Sequence, residues 1–173
     1  ALARKEAAGF DPMRLAAVAE RLAPRGAEID AEAAALIARA TRFADDAIFV
    51  SHVAWNGPAS VRERALWALV AAAGAAATGP PGDQVRALEA QLADTFAGAT
   101  LGGARLKRVG AEIVITRDTG ALSGRADGAK PVAPTPLPAG EETVWDGRVA
   151  RTAPEPGWAV VFDAGAARLA RGE

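Results

Sequence analysis

The sequence predicts an α+β fold, an N-terminal bundle of about four helices followed by β-hairpins. Three observations carry that expectation. As far as residue 98, apolar residues recur at helical spacing between proline and glycine breakers. From Thr100 the apolar period shortens to two, the repeat of a strand with one buried face. Turn dipeptides, Gly110-Ala111 and Asp146-Gly147, then separate the alternating runs. Helices first and strands afterwards is the order of an α+β chain rather than of repeated βαβ units.

Each element has its own local reason. Asp11-Pro12 offers an N-cap followed by proline at the first helical position, and Leu15, Val18 and Leu22 mark one apolar face behind it. Pro24 and Gly26 predict a break or strong kink. A second helix is expected from Ile29, Ala33, Leu36, Ile37 and Ala40, with Glu28, Asp30, Glu32 and Arg39 facing solvent and Asp45-Asp46 ending it. Ile48–Val53 is β-rich and reads as a strand or an extended connector. A third helix starts near Pro58, where Ser60 and Glu63 have capping-box spacing, and ends at Gly74. Beyond the Gly79-Pro80-Pro81-Gly82 breaker, Asp83 caps a fourth helix striped by Val85, Leu88, Leu92 and Phe96.

The β half opens with the strand carrying Arg105, Lys107 and Arg108, turned at Gly110-Ala111 into Glu112–Arg117. Residues 120–140, with KPVAPTPLP at their centre, read as an extended linker or ordered loop. Thr143–Trp145 and Arg148–Arg151 form a second hairpin about Asp146-Gly147, and Trp158–Phe162 a further strand. The tail, Ala164–Glu173, has weak helical character. The expected organisation is a helical unit over 1–98, a hairpin over 99–119 that closes it, a linker over 120–140 and a small β-rich segment over 141–173.

Composition narrows the function. Half of the 173 residues are apolar, but the aromatics are only five Phe and four Trp, so Leu, Val, Ile and Trp must carry the core. Cysteine is absent, which excludes disulfides, thiolate metal sites and cysteine nucleophiles and suits a reducing, cytoplasmic setting. The longest apolar run, Ala65 to Ala77, is too short to span a bilayer. The first residues lack the apolar core of a signal peptide, and the opening Ala fits either a piece of a longer protein or removal of a preceding Met. A net charge of −1 leaves room for nucleic-acid contact only through a local patch.

No catalytic constellation emerges. The single histidine, His52, sits beside Ser51, and neighbours on a strand point to opposite faces, so adjacency builds no nucleophile–base pair. Gly98, Gly102 and Gly103 lack the Gly-Lys-Ser/Thr ending of a phosphate loop and precede a strand, so they read as a backbone turn. The basic residues are more informative. Arg105 and Lys107 share one face of their strand, Leu106 and Arg108 the other, and tight pairing would bring Arg117 onto the Arg105/Lys107 face. Arg62 and Arg64 make a weaker cluster at the start of the third helix. An ordinary solvated hairpin face and a phosphate-contacting patch explain these charges equally well.

A family resemblance adds to this reading. The succession GFDPMRLAAVAERLAPRGAEIDAEAAALIARA, VRERALWALVAAAG, the helix at 83–96, TLGGARLKRVGAEIVITRD and VWDGR resembles the region C-terminal to the catalytic domain of bacterial tRNA(Ile)-lysidine synthases, including those labelled MesJ-type cell-cycle proteins. It covers most of residues 8–160 through the order of individually weak motifs. The family's enzymes use ATP, with magnesium, to join lysine to the wobble cytidine of a tRNA(Ile) with a CAU anticodon. Their catalytic signature, Ser-Gly-Gly-x-Asp-Ser, does not occur in this chain, so no catalytic residue and no cofactor carry over. The resemblance implies that residues 1–98 correspond to the linking helix and the substrate-binding domain. Charge and placement make Arg62, Arg64, Arg105, Lys107, Arg108 and Arg117 the candidate tRNA-phosphate contacts. The implied partners are tRNA(Ile), the N-terminal catalytic domain and a possible second copy, with neither membrane nor DNA among them. The rival expectation is a protein–protein or dimerisation module that never touches RNA.

Overall fold

A five-stranded antiparallel sheet backed by helices organises most of the chain. The structure, a computed structural model, describes residues 12–44, 46–75, 79–92, 96–122, 133–146, 149–163 and 166–171. Helix α1 (Pro12–Ala40) leads into β1 (Thr41–Ala44) and β2 (Ala47–Ser51), then α2 (Ala59–Gly74) and α3 (Gly82–Leu92). Strands β3 (Gly98–Leu101), β4 (Ala104–Val109) and β5 (Glu112–Arg117) complete the sheet in the order β1-β2-β5-β4-β3, and a single helical turn follows at Thr119–Leu122.

The core lies between this sheet and the helices. Alternation puts Ile48 and Val50 of β2, Ala104 and Leu106 of β4, and Ile113 and Ile115 of β5 on one face, all buried. Leu66, Leu69 and Val70 of α2, Val85 and Leu88 of α3, and Leu36 of α1 close over them in one continuous cluster. Two glycines permit close approaches. A side-chain carbon on Gly74 would lie 1.9 Å from the Gly102 carbonyl oxygen, so the end of α2 can press against the β3–β4 turn only without one. Gly79, at φ +66°, sits against the Trp67 ring, where an added carbon would come within 2.3 Å.

A smaller unit follows. Strands β6 (Thr135–Leu137), β9 (Trp158–Asp163) and β10 (Ala166–Arg171) form one antiparallel sheet in the order β10-β9-β6. Strands β7 (Glu142–Trp145) and β8 (Val149–Thr152) form a separate hairpin. Leu137, Trp145, Ala153 and Val160 are its buried centre, with Trp158 packed against them.

The helical bundle expected from the sequence is not formed. Among the described residues there are three helices longer than one turn and ten strands in three antiparallel sheets. The physical reason is that periodicity reveals an apolar face without saying what covers it: α2 presses its face onto the sheet, while α1 and α3 pack on α2. The break expected at Pro24 is also absent, because α1 runs for 29 residues through it. One missing N–H interrupts a single rung, and the alanine-rich turns on either side continue the ladder. Consequently the first two expected helices are one.

Smaller corrections follow the same pattern. The chain leaves α1 at Ala40 and enters β1 directly, so Asp45-Asp46 does not end a helix; Asp46, at φ 61°, stands in the β1–β2 turn. Pro58, without a side-chain bond, occupies the N-cap of α2, so the Ser60/Glu63 capping box does not form. Helix α3 begins at Gly82, which puts Asp83 inside its first turn, where its charge complements the helix dipole. Residues 166–171 of the tail are a strand, not a helix, because β9 offers them a pairing edge. Within the expected linker, 133–140 includes β6, and 123–132 lie outside the described residues.

Candidate nucleic-acid interface

Two tight hairpins present the basic residues. Gly102 and Gly103, at φ +56° and +79°, form the two-residue β3–β4 loop, both in the left-handed region a type I′ turn requires. Gly110, at φ +61°, with Ala111 turns β4 into β5. The register pairs Arg105 with Thr100 and Thr116, and Lys107 with Gly98 and Val114. Directly paired residues share a face, and this face is the one the helices leave open.

Arg105 and Lys107 are both exposed and make no ion pair among the described residues. They border a shallow groove of about 390 Å³ along the sheet edge, walled by Gly98, Ala99 and Thr100 of β3. Across the same open face, Val114 links Lys107 to Phe49, which pairs in turn with Arg42. The Arg42 guanidinium lies 3.7 Å from the Phe49 ring centre, and its Nε and Nη2 donate to the Glu112 carboxylate at 3.2 and 2.9 Å. The open face therefore carries two uncommitted cations, a cation–aromatic pair and the hydroxyl-bearing Thr100 and Thr116.

The other four basic candidates are placed differently. Arg108 is on the helix-covered face, opposite Ile113, and is half-buried, although it borders the same groove at the sheet edge. Arg117 pairs with buried Ala104, so it too is on that face and does not join Arg105 and Lys107. Its Nη2 donates to Asp146 Oδ1 at 3.1 Å and its Nε lies 3.0 Å from Oδ2 as an ion-pair contact, with side chains 14% and 9% exposed. That fork ties the sheet to the β7–β8 hairpin. Arg62 donates from Nε to Glu89 at 2.5 Å and from Nη1 to the Gly57 carbonyl at 2.6 Å. The hydrogen bond to Glu89 pushes its pKa above the ordinary arginine value, which keeps it a cation at any working pH. Arg64 donates to Asp30 at 2.5 Å and lies over Trp67 at 4.8 Å. Hence Arg105 and Lys107 alone among the six combine exposure with the lack of an acidic partner.

Ser51 Oγ accepts from the Ala54 N–H at 3.3 Å, while His52 follows the end of β2 and donates its backbone N–H to Ala111 at 3.0 Å. Among the described residues, no three His, Asp or Glu side chains group to hold a metal ion, and no helix is long and apolar enough to cross a membrane. Sequence reasoning missed the Arg42–Phe49–Glu112 arrangement. Arg42 and Glu112 are 70 positions apart, and no local signal joins them. Comparison with protein-family models, curated proteins and solved structures finds no match to this chain.

Proposed function

We propose that this chain is the tRNA-positioning part of a cytoplasmic tRNA(Ile)-lysidine synthase, acting beside a catalytic domain that supplies the ATP chemistry. The order of motifs from residue 8 to 160 supports the family. The observation that carries RNA contact is the pair of exposed cations, Arg105 and Lys107, without acidic partners on an open sheet face. Contacts of this kind hold the phosphate backbone and set orientation, leaving sequence reading to other groups. Gel-shift titration with tRNA(Ile) bearing the CAU anticodon, at two salt concentrations, tests the reading. The double charge reversal Arg105→Glu/Lys107→Glu is expected to weaken binding and to lower the salt slope by about one for each phosphate no longer neutralised. An unchanged affinity and slope would refute the patch.

A second reading, docking to protein, is favoured by one specific observation. Leu15, Val18 and Leu22 line one side of α1 and are 44%, 41% and 62% exposed, an apolar stripe with no cover among the described residues. Such a stripe suits the catalytic domain of the proposed enzyme or a second copy of the chain. A sizing column at several concentrations separates these, since only self-association moves with concentration.

A further inference from the structure

The open sheet face has a composition that solvent exposure alone does not explain. An antiparallel sheet with one solvated face is ordinarily polar on that side. Here the register puts Phe49, Val114 and Val109 on it, with Phe49 and Val114 half-buried and Val109 60% exposed. None of the three belongs to either buried apolar cluster. One continuous row crosses four strands as Arg42, Phe49, Val114 and Lys107. It spans three inter-strand spacings, about 14 Å, with a cation at each end and apolar side chains between.

The two ends of the row differ. The Arg42 guanidinium carbon stands over the Phe49 ring at 3.7 Å, the contact distance of stacked groups, and its Nε and Nη2 are both held by the Glu112 carboxylate. The side chain is nevertheless 55% exposed, which leaves the guanidinium face turned away from Phe49 open to a ligand. As a surface ion pair the Arg42–Glu112 fork adds little stability. It does hold a long side chain in one plane before any ligand arrives, which removes an ordering cost from stacking on it. Because Glu112 neutralises Arg42, this end offers a flat surface more than a charge. The free charge is at the other end, on Lys107 and its neighbour on the same strand face, Arg105. An ordinary solvated face accounts for the cations but leaves the apolar centre and the flat end unaccounted for.

We propose that this face binds an unpaired stretch of RNA, with one base stacked on the Arg42 guanidinium, a neighbouring base against Val114, and the phosphates along Lys107 and Arg105. Phe49 and Glu112 are positioning residues that hold the guanidinium flat. Unpaired bases stack on guanidinium planes as they do on aromatic rings, and such stacking is tolerant of sequence because every base has a flat face. A duplex keeps its base faces inside the stack, so it would reach Lys107 and Arg105 with its phosphates and leave the platform unused. An acidic peptide would meet the same cations and have no group for the flat end. The inference rests on the RNA contact proposed above and names the kind of RNA, a single strand; it does not depend on the synthase family.

The test is fluorescence anisotropy with the full chain and three labelled probes: a short unstructured RNA strand, the blunt duplex it makes with its complement, and poly-glutamate of the same length. The single strand is expected to bind about tenfold more tightly than the duplex. Phe49→Leu removes the ring and keeps an apolar side chain, while Arg42→Lys keeps the charge and removes the plane. Each variant, checked for native circular dichroism, should weaken the single strand about fivefold at an unaltered salt slope and leave the duplex unaffected. A duplex or poly-glutamate that binds as tightly as the single strand overturns the proposal, and so does a single strand indifferent to both substitutions. Single-strand binding of the expected kind without binding of tRNA(Ile) would sink the synthase reading and keep this inference. Binding of tRNA(Ile) that falls with Arg105→Glu/Lys107→Glu but ignores Phe49→Leu and Arg42→Lys would do the reverse.

Discussion

The two units of this protein hold themselves together by different means. The sheet-and-helix unit has one continuous apolar cluster in which strands β2, β4 and β5 meet all three long helices. The C-terminal unit has a cluster of four buried side chains among the described residues, of which Trp145 is by far the largest. Among the described residues two ion pairs tie it to the larger unit, Arg117–Asp146 and an Arg151–Asp46 pair at 3.4 Å. Buried apolar area grows steeply with unit size, so the small unit has little of it to stabilise the fold. Charged clasps then fix where it sits, which a directional bond does better than a non-directional one.

The comparison makes predictions of decreasing size. Leu66, 1% exposed at the centre of α2, cannot be truncated without leaving a cavity that the sheet cannot collapse into. Leu66→Ala is expected to lower unfolding stability by about 3–4 kcal/mol in a urea titration. A loss below about 1 kcal/mol would mean the cluster is not the main support of the larger unit. Asp146→Ala comes next. It strands the Arg117 guanidinium in a site only 14% exposed, at a cost of about 3 kcal/mol. Limited proteolysis should then cut between the units faster than within the larger one. Adding Arg117→Ala should recover part of the stability, and a double variant no better than the single one would show that the fork is not the clasp.

The smallest effect is expected on the open face. Arg105→Ala and Lys107→Ala remove exposed side chains with no ion pair among the described residues, so stability should stay within about 0.5 kcal/mol of the parent by thermal melting. A larger drop would mean these cations support the fold rather than await a ligand. The expected result would sharpen the contrast with Arg62, Arg64 and Arg117, whose charges are already committed within the structure.

Legibility in the sequence followed the range of the interaction. The β4–β5 hairpin and the β7–β8 hairpin were readable because alternation and a turn dipeptide lie within a few residues of each other. Strand β1 was not, since its four residues follow α1 without a breaker and gain strand character only by pairing with β2. The last strand, β10, likewise exists through its register with β9. For the candidate interface, the shared face of Arg105 and Lys107 was a matter of alternation alone. The commitment of Arg62 to Glu89, 27 residues on, and of Arg117 to Asp146, 29 residues on, left no trace in the local pattern.

By itself, then, the sequence determined the α+β class, the period change at Thr100, the glycine turns and the side of β4 on which each residue falls. These depend on backbone geometry that neighbouring residues impose. Tertiary structure alone decided that α2 lies on a sheet while α1 and α3 pack on α2, that α1 continues through Pro24, and which cations remain uncommitted. Those outcomes depend on partners distant in the chain, and an arginine's sequence neighbours do not reveal whether a carboxylate will reach it.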